Sequence, residues 1–373
     1  MVVCEKIKYR DKHSMHNRIH WLDAARAIAI LLVVFTHCHE QAGIYDPVRA
    51  SIFYTIDRLG VPIFFMISGG LILDKVKDVD ILSFYRKRVV QFLILLVVYS
   101  VLTNTVNIFI GTGDIYSAFV NSLVDFNGVL NTDDKLGPYG GARQLWFMYV
   151  IIQLYLIAPF VSKMLDKAPT KNIIIFAVLC VLLNQVRLTL TTFGFGWTFL
   201  DMISNDFAGR EFSGADFTGA YLLYFLMGYL IISRGMLNHI NKAVLFSIAI
   251  VLLVVPSWFL IKADFSAGKL ILPMHWYNSS LFILLSSVGL FVLIKVLFEN
   301  KRIKFFEILS LCSFGIYLTH YALIYVFKYV QGIYMPSMDD IGRMIFYFMA
   351  SFIFSLILVV CMMRVKALRY FVR

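Results

Sequence analysis

Ten apolar stretches of roughly twenty residues, separated by short polar links, leave this 373-residue chain few folds to adopt. A segment of that length crosses a hydrocarbon layer as a helix, because only a helix or a closed barrel satisfies its own backbone groups there. A barrel would need short alternating strands, and the sequence has no such pattern. The chain is 60% hydrophobic, against about 45–50% for a soluble domain. The expected fold is therefore all-α, a polytopic transmembrane helical bundle. The spans are Trp21–Cys38, Ile52–Leu73, Arg88–Ile110, Gln144–Met164, Asn172–Leu190, Phe217–Ile232, Ala243–Ile261, Tyr277–Phe298, Phe305–Phe327 and Ile341–Met363. The second is interrupted by Asp57, Arg58 and Pro62, and the sixth is short.

Charge sets the expected orientation. With the N-terminus in the cytoplasm, the inside segments hold 23 Lys and Arg and the outside segments nine, and Arg26 and Arg58 lie within spans. That bias follows the positive-inside rule and puts both termini in the cytoplasm. It also accounts for much of the net charge of +11. The basic loops read as contacts with anionic membrane lipid, and no soluble basic domain is present to bind nucleic acid. Residues 1–20 read as a cytoplasmic segment, 21–364 as a single transmembrane domain and 365–373 as a cytoplasmic tail. The leading segment is polar through His20 and lacks a signal-peptide pattern, so the first span reads as a retained anchor. Cys4, Cys38, Cys180, Cys312 and Cys361 are scattered, forming neither a metal pattern nor a disulfide framework, and read as packing residues. No internal repeat of the transporter kind is evident. Two outside connections, Gly111 to Arg143 and Thr191 to Asp216, are long enough to form a lid, an acceptor surface or a plain linker.

Several polar residues sit where hydrocarbon makes them costly. Arg26 and His37 lie eleven residues apart, about three helical turns, and so share a stripe that Asp23 joins. A lipid-facing guanidinium would cost several kcal/mol, and Asp23 can partly neutralise it. Histidine suits proton transfer near neutral pH. Arg86, Lys87 and Arg88 open the third span. Orientation explains them from the pattern; the sharper reading is a phosphate anchor for a cytosolic donor. Trp146, Tyr149 and Gln153 stand at helical spacing in the fourth span, as interfacial aromatics with a deeper amide or as a cavity wall. Tyr317 and His320 in the ninth span read equally as inter-helix bonds or cavity groups. Pro62 with Ser68, Gly69 and Gly70 makes the second span kinked and closely packed, as a hinge or a cavity wall.

These residues fall into a recognisable order. Trp21 through His37, with ten residues between Arg26 and His37, resembles the opening signature of acyltransferase family 3, the bacterial membrane acyltransferases that modify cell-surface glycans. Val61-Pro-Ile-Phe-Phe-Met-Ile-Ser-Gly69, Gln144-Leu-Trp-Phe-Met-Tyr149 with Tyr155, Tyr224-Phe-Leu-Met-Gly-Tyr229 and Ser313-Phe-Gly-Ile-Tyr-Leu-Thr-His320 follow as further family elements. The resemblance implies ten spans in the bacterial cytoplasmic membrane. It also implies transfer of an acyl group, usually acetyl from acetyl-CoA, to a sugar hydroxyl at the outer face. It makes Arg26 and His37 essential, and it assigns Arg86 and Arg88 to the donor. Gln91 stands where a further arginine is common, and Gln153 replaces the glutamate of one subgroup. The expected mechanism docks acyl-CoA, a co-substrate rather than a resident cofactor, against Arg86 and Arg88. Its acyl end reaches a polar cavity between spans one, two, four and nine. There His37 acts as base or acyl carrier, while Asp23 holds Arg26 and Arg26 stabilises developing negative charge. Trp146, Tyr149, Gln153, Tyr317, His320 and Ser68 are the expected cavity residues, and no metal or other cofactor is expected. The alternatives are a transporter or flippase of a lipid-linked sugar, a sensor or scaffold without turnover, and transfer of another acyl group or to another acceptor.

Overall fold

The computed structural model describes residues 18–124, 140–195 and 220–373. The segment before residue 18, parts of the two long outside connections, Trp197 and the start of the sixth span lie outside the described residues. Among those described, nine helices are long and apolar enough to cross a membrane and no strand occurs. The elements are α1 (His20–Ala42), α2 (Pro47–Asp57), α3 (Gly60–Ile72), α4 (Val90–Thr112), α5 (Ile115–Val124), α6 (Trp146–Asp166) and α7 (Thr170–Val181). They continue with α8 (Ala220–Gly228), α9 (Lys242–Ala267), α10 (Leu281–Phe298), α11 (Lys304–Tyr334) and α12 (Asp340–Arg364). The chain is a polytopic helical bundle. The described part of the expected sixth span, α8 with its continuation to Ser233, is too short to count among the nine.

α1 is the axle of the bundle, with α2, α3, α10, α11 and α12 packed around it. Two-thirds of its apolar window is buried inside the protein, against 22% for α9 and 28% for α12. Those two helices are therefore peripheral and present their apolar sides to lipid. α1 stops at Gly43, whose left-handed backbone (φ 79°) returns its N–H to the Glu40 carbonyl.

The second span is two helices with a break at Arg58–Leu59. Pro62 explains the position of the break. It has no N–H to offer the Arg58 carbonyl, and its ring crowds that carbonyl. α3 then runs against α8 at near-backbone contact. A Cβ built on Gly228 would lie 1.8 Å from the Met66 carbonyl oxygen, and one on Gly69 would lie 2.0 Å from that of Phe225. Small residues let membrane helices approach this closely, gaining dispersion contact where the hydrophobic effect is absent.

Three helices contain π turns that periodicity did not reveal: Tyr85–Val89 before α4, Leu182–Val186 after α7 and Tyr229–Ser233 after α8. The first carries Arg86, Lys87 and Arg88, all exposed at the bundle face where α1 begins. Gln91, one turn further on, donates to the Arg373 carbonyl, and Tyr99 donates to that of Phe371.

Candidate active site

Polar groups gather at two levels of α1. At the lower level, Arg26 lies six residues into the helix, about 9 Å from its start. It approaches the Ser310 hydroxyl on α11 at 3.5 Å. Tyr155 of α6 lies within electrostatic reach of both Arg26 and Arg88, and it hydrogen-bonds Ser68 of α3. Arg26 is thus ringed by α3, α6 and α11, and its side chain is 31% exposed despite its place on the central helix. Asp23 is committed elsewhere than expected. It binds Arg18 through two contacts, 2.7 and 3.1 Å, and stands 4.0 Å from Arg26. The hydrogen bond to Asp23 raises the Arg18 pKa further above its ordinary value.

At the upper level, His37 places Nδ1 3.2 Å from the Glu40 carboxylate. Its ring stacks on His320 at 5.5 Å and meets Tyr321 edge-on at 4.9 Å. Glu40 accepts from Arg58 at 2.8 Å and from the Tyr54 hydroxyl at 3.1 Å. Arg58 in turn donates to the Tyr277 hydroxyl at 3.2 Å, and its guanidinium lies over the rings of Tyr54 and Trp276 at 4.6 and 4.8 Å. Trp146 stacks on Tyr277 with ring centroids 5.4 Å apart. Beside this cluster run two buried imidazole–carboxylate pairs. His39 meets Asp57 at 2.6 Å, and His275 meets Asp264 at 2.7 Å, where Asp264 also accepts from Ser51 at 2.6 Å. The break at Arg58–Leu59 is what turns Arg58 and Asp57 into this cluster.

The two levels do not meet. Eleven residues of continuous helix separate Arg26 from His37 by about 16 Å. Ile30, Val33 and Val34 between them are buried, so the connecting band of α1 is apolar and closed. Arg26 and His37 therefore belong to separate levels of α1.

The remaining expected residues divide. Tyr317 is buried and spends its hydroxyl on the Gln144 carbonyl at 2.8 Å, tying α11 to the start of α6. His320 is fully buried. Its Nδ1 bonds the Ile316 carbonyl at 3.0 Å, and its Nε2 has no partner. Tyr149 is half-buried. Gln153 is exposed and shares its stripe with Leu156 and Phe160, so it faces out of the bundle and not into the expected cavity. α6 is apolar around its circumference, and spacing could not tell its inner stripe from its outer one. Glu40 and Arg58 carry the upper cluster without having been singled out. Their signals were present, since Glu40 stands three residues after His37 and Arg58 is an intramembrane charge. Among the described residues no group of His, Cys, Asp or Glu is arranged to hold a metal ion.

Fold and site together define a class, the multi-span helical membrane proteins that keep a buried polar site around a central helix. The chain belongs to the Acyl_transf_3 family: that family's model, described as an acyltransferase domain, matches residues 19–361, nearly the whole length. The protein is accordingly a membrane acyltransferase. No curated protein and no solved structure matches it.

Proposed function

We propose that the protein moves an acyl group, most simply acetyl, from cytosolic acyl-CoA to a hydroxyl of a cell-surface or lipid-linked glycan at the outer face of the bacterial cytoplasmic membrane. Both termini face the cytoplasm in this reading. The observation that carries it is the His37–Glu40 pair at the end of α1 remote from the basic loops. A carboxylate on Nδ1 fixes the imidazole tautomer and directs Nε2 to take a proton from the acceptor hydroxyl. His320 and Tyr321 hold the ring in place. Arg58 orients Glu40 by its hydrogen bond at 2.8 Å, acting through it rather than on the substrate.

The donor binds at the opposite end. The exposed Arg86 and Arg88 take the phosphates of CoA, for which guanidinium groups offer bidentate bonds. Arg26 grips the pantetheine arm in the recess between α1, α3, α6 and α11, with Tyr155 and Ser68 beside it. The arm must part the band at Ile30, Val33 and Val34 to bring its thioester to His37. The activated hydroxyl then attacks the thioester carbonyl and the CoA thiolate departs, taking up a proton. Asp23 serves this end indirectly, by docking Arg18.

The test uses purified protein in nanodiscs, acetyl-CoA labelled in the acetyl group and a surface glycan as acceptor. Label appears on the glycan with the wild type and is lost with His37→Ala and Arg26→Ala. Full transfer by either variant, folded normally, overturns the assignment.

A further inference from the structure

A cleft of about 520 Å³ opens at the same end of the bundle as His37, within the size range of small-molecule sites. Its lining includes Glu40, Tyr45, Arg143, Lys328, Gly332 and Arg343. Among the described residues, three cations thus face one carboxylate, and that carboxylate is already bridged to Arg58 at 2.8 Å. Gln41 joins the cleft to the catalytic cluster: it accepts from Lys328 at 2.8 Å and donates to Tyr321, against which His37 packs, at 3.3 Å. Arg343 has its Nε buried with no hydrogen-bond partner. Among the described residues at this end, Asp46 and Asp340 both close on Arg49, at 2.5 and 2.8 Å.

Orientation does not explain these cations. The positive-inside rule accounts for basic residues at the other face and depletes them here. Three of the nine outside Lys and Arg nevertheless line one recess. A buried N–H without a partner is costly unless an acceptor completes it, and an anion does so best.

We propose that this cleft is the acceptor subsite and that the acceptor is anionic, carrying a carboxylate or phosphate next to the sugar hydroxyl that receives the acyl group. The anion rests on Arg343, Lys328 and Arg143, and this places the hydroxyl at the Glu40–His37 wall. The inference rests on the acyltransferase reading for its hydroxyl, and on the cleft itself for its charge.

The experiment measures dissociation constants of glucuronate, glucose 1-phosphate and glucose by titration calorimetry, with the protein in nanodiscs of neutral lipid. At least one anionic probe binds tenfold or more tightly than glucose, and its affinity falls as salt rises. Which anion binds better distinguishes carboxylate from phosphate. Arg343→Gln weakens that binding at least tenfold, and so does Gly332→Phe. A Cβ at Gly332 meets no neighbour within 4 Å, and Gly332 lines the cleft, so the ring enters it from open space. Acetyl-CoA binding, read in the same samples, stays unchanged in both variants. Equal binding of glucose and the anions, no binding of any probe, or anion binding untouched by Gly332→Phe overturns the proposal. Loss of anion binding when phosphatidylglycerol is added to the nanodiscs overturns it too, by naming a lipid headgroup as occupant. A wild type that binds an anion and acetyl-CoA but transfers no acetyl group removes the transferase reading and leaves the cleft's charge preference standing.

Discussion

Glu40 accepts from three donors contributed by α1, α2 and the Arg58 break, at 2.8 to 3.2 Å. Removing it altogether would strand the Arg58 charge inside the protein, at a cost of about 3–5 kcal/mol. The informative substitution is Glu40→Gln, which keeps the shape and can still bond Arg58. It weakens the carboxylate's hold on the imidazole. General-base catalysis contributes roughly 10²–10⁴-fold, so the variant is expected to lose one to two orders of magnitude in kcat with little change in the acyl-CoA KM. His37→Ala loses the full factor. Initial rates on folded protein check both, and an unchanged Glu40→Gln places the catalytic group elsewhere. At this scale the sequence was half legible. Arg26 and His37 stood out because charge inside an apolar run is expensive wherever it falls. Glu40 did not, because it lies just past the apparent end of the run, and helix spacing shows which side chains share a stripe but not which partner each one meets. Asp23 illustrates the same limit: i,i+3 spacing offered Arg26, and the closer contact went to Arg18, outside the span.

The helices show a different balance. Long apolar runs located nine of the ten expected spans, since hydrocarbon thickness fixes their length. The break at Arg58 was marked in advance by Pro62, whose steric effect is local and therefore readable. The π turns were not readable, because one extra residue in a turn leaves the composition of the run unchanged. The turn at Tyr85–Val89 places Arg86 and Arg88 at the bundle's basic face, and Arg86→Gln with Arg88→Gln is expected to raise the acyl-CoA KM at least fivefold while kcat stays near the wild-type value. A matching loss in kcat without a change in KM removes the donor role. The α3–α8 contact makes a second prediction at this scale. Gly228→Ala must push a methyl group into the Met66 carbonyl, so the helices separate at a cost of about 1–3 kcal/mol. Gly332→Ala, a helix glycine with open space around it, is neutral or stabilising by up to about 1 kcal/mol. Thermal melts of the two purified variants should put Gly228→Ala below the wild type and Gly332→Ala at or above it.

The whole molecule is a two-ended device. Arg26 with the Arg86–Arg88 turn occupies one end of α1, and His37 with Glu40 and the cationic cleft occupies the other. A buried apolar band of Ile30, Val33 and Val34 lies between them. No single carbonyl reaches both, so a reaction that uses both must carry the acyl group across that band on a long, thin donor arm. The proposed function then predicts sidedness. In proteoliposomes of one orientation, acyl-CoA added on the side of the basic loops should support transfer to a membrane-impermeant acceptor confined to the opposite side. Reversing the two should give none. Val33→Trp would thicken the band between the two ends, and is expected to abolish transfer while acetyl-CoA still binds at the Arg86–Arg88 end. The sequence could place Arg26 and His37 on one stripe, but a stripe has length as well as direction, and about 16 Å of it separates the two residues. Transfer with donor and acceptor on the same side, at the rate seen across the membrane, would mean that the bundle works as a single pocket, and the two-ended reading would be lost.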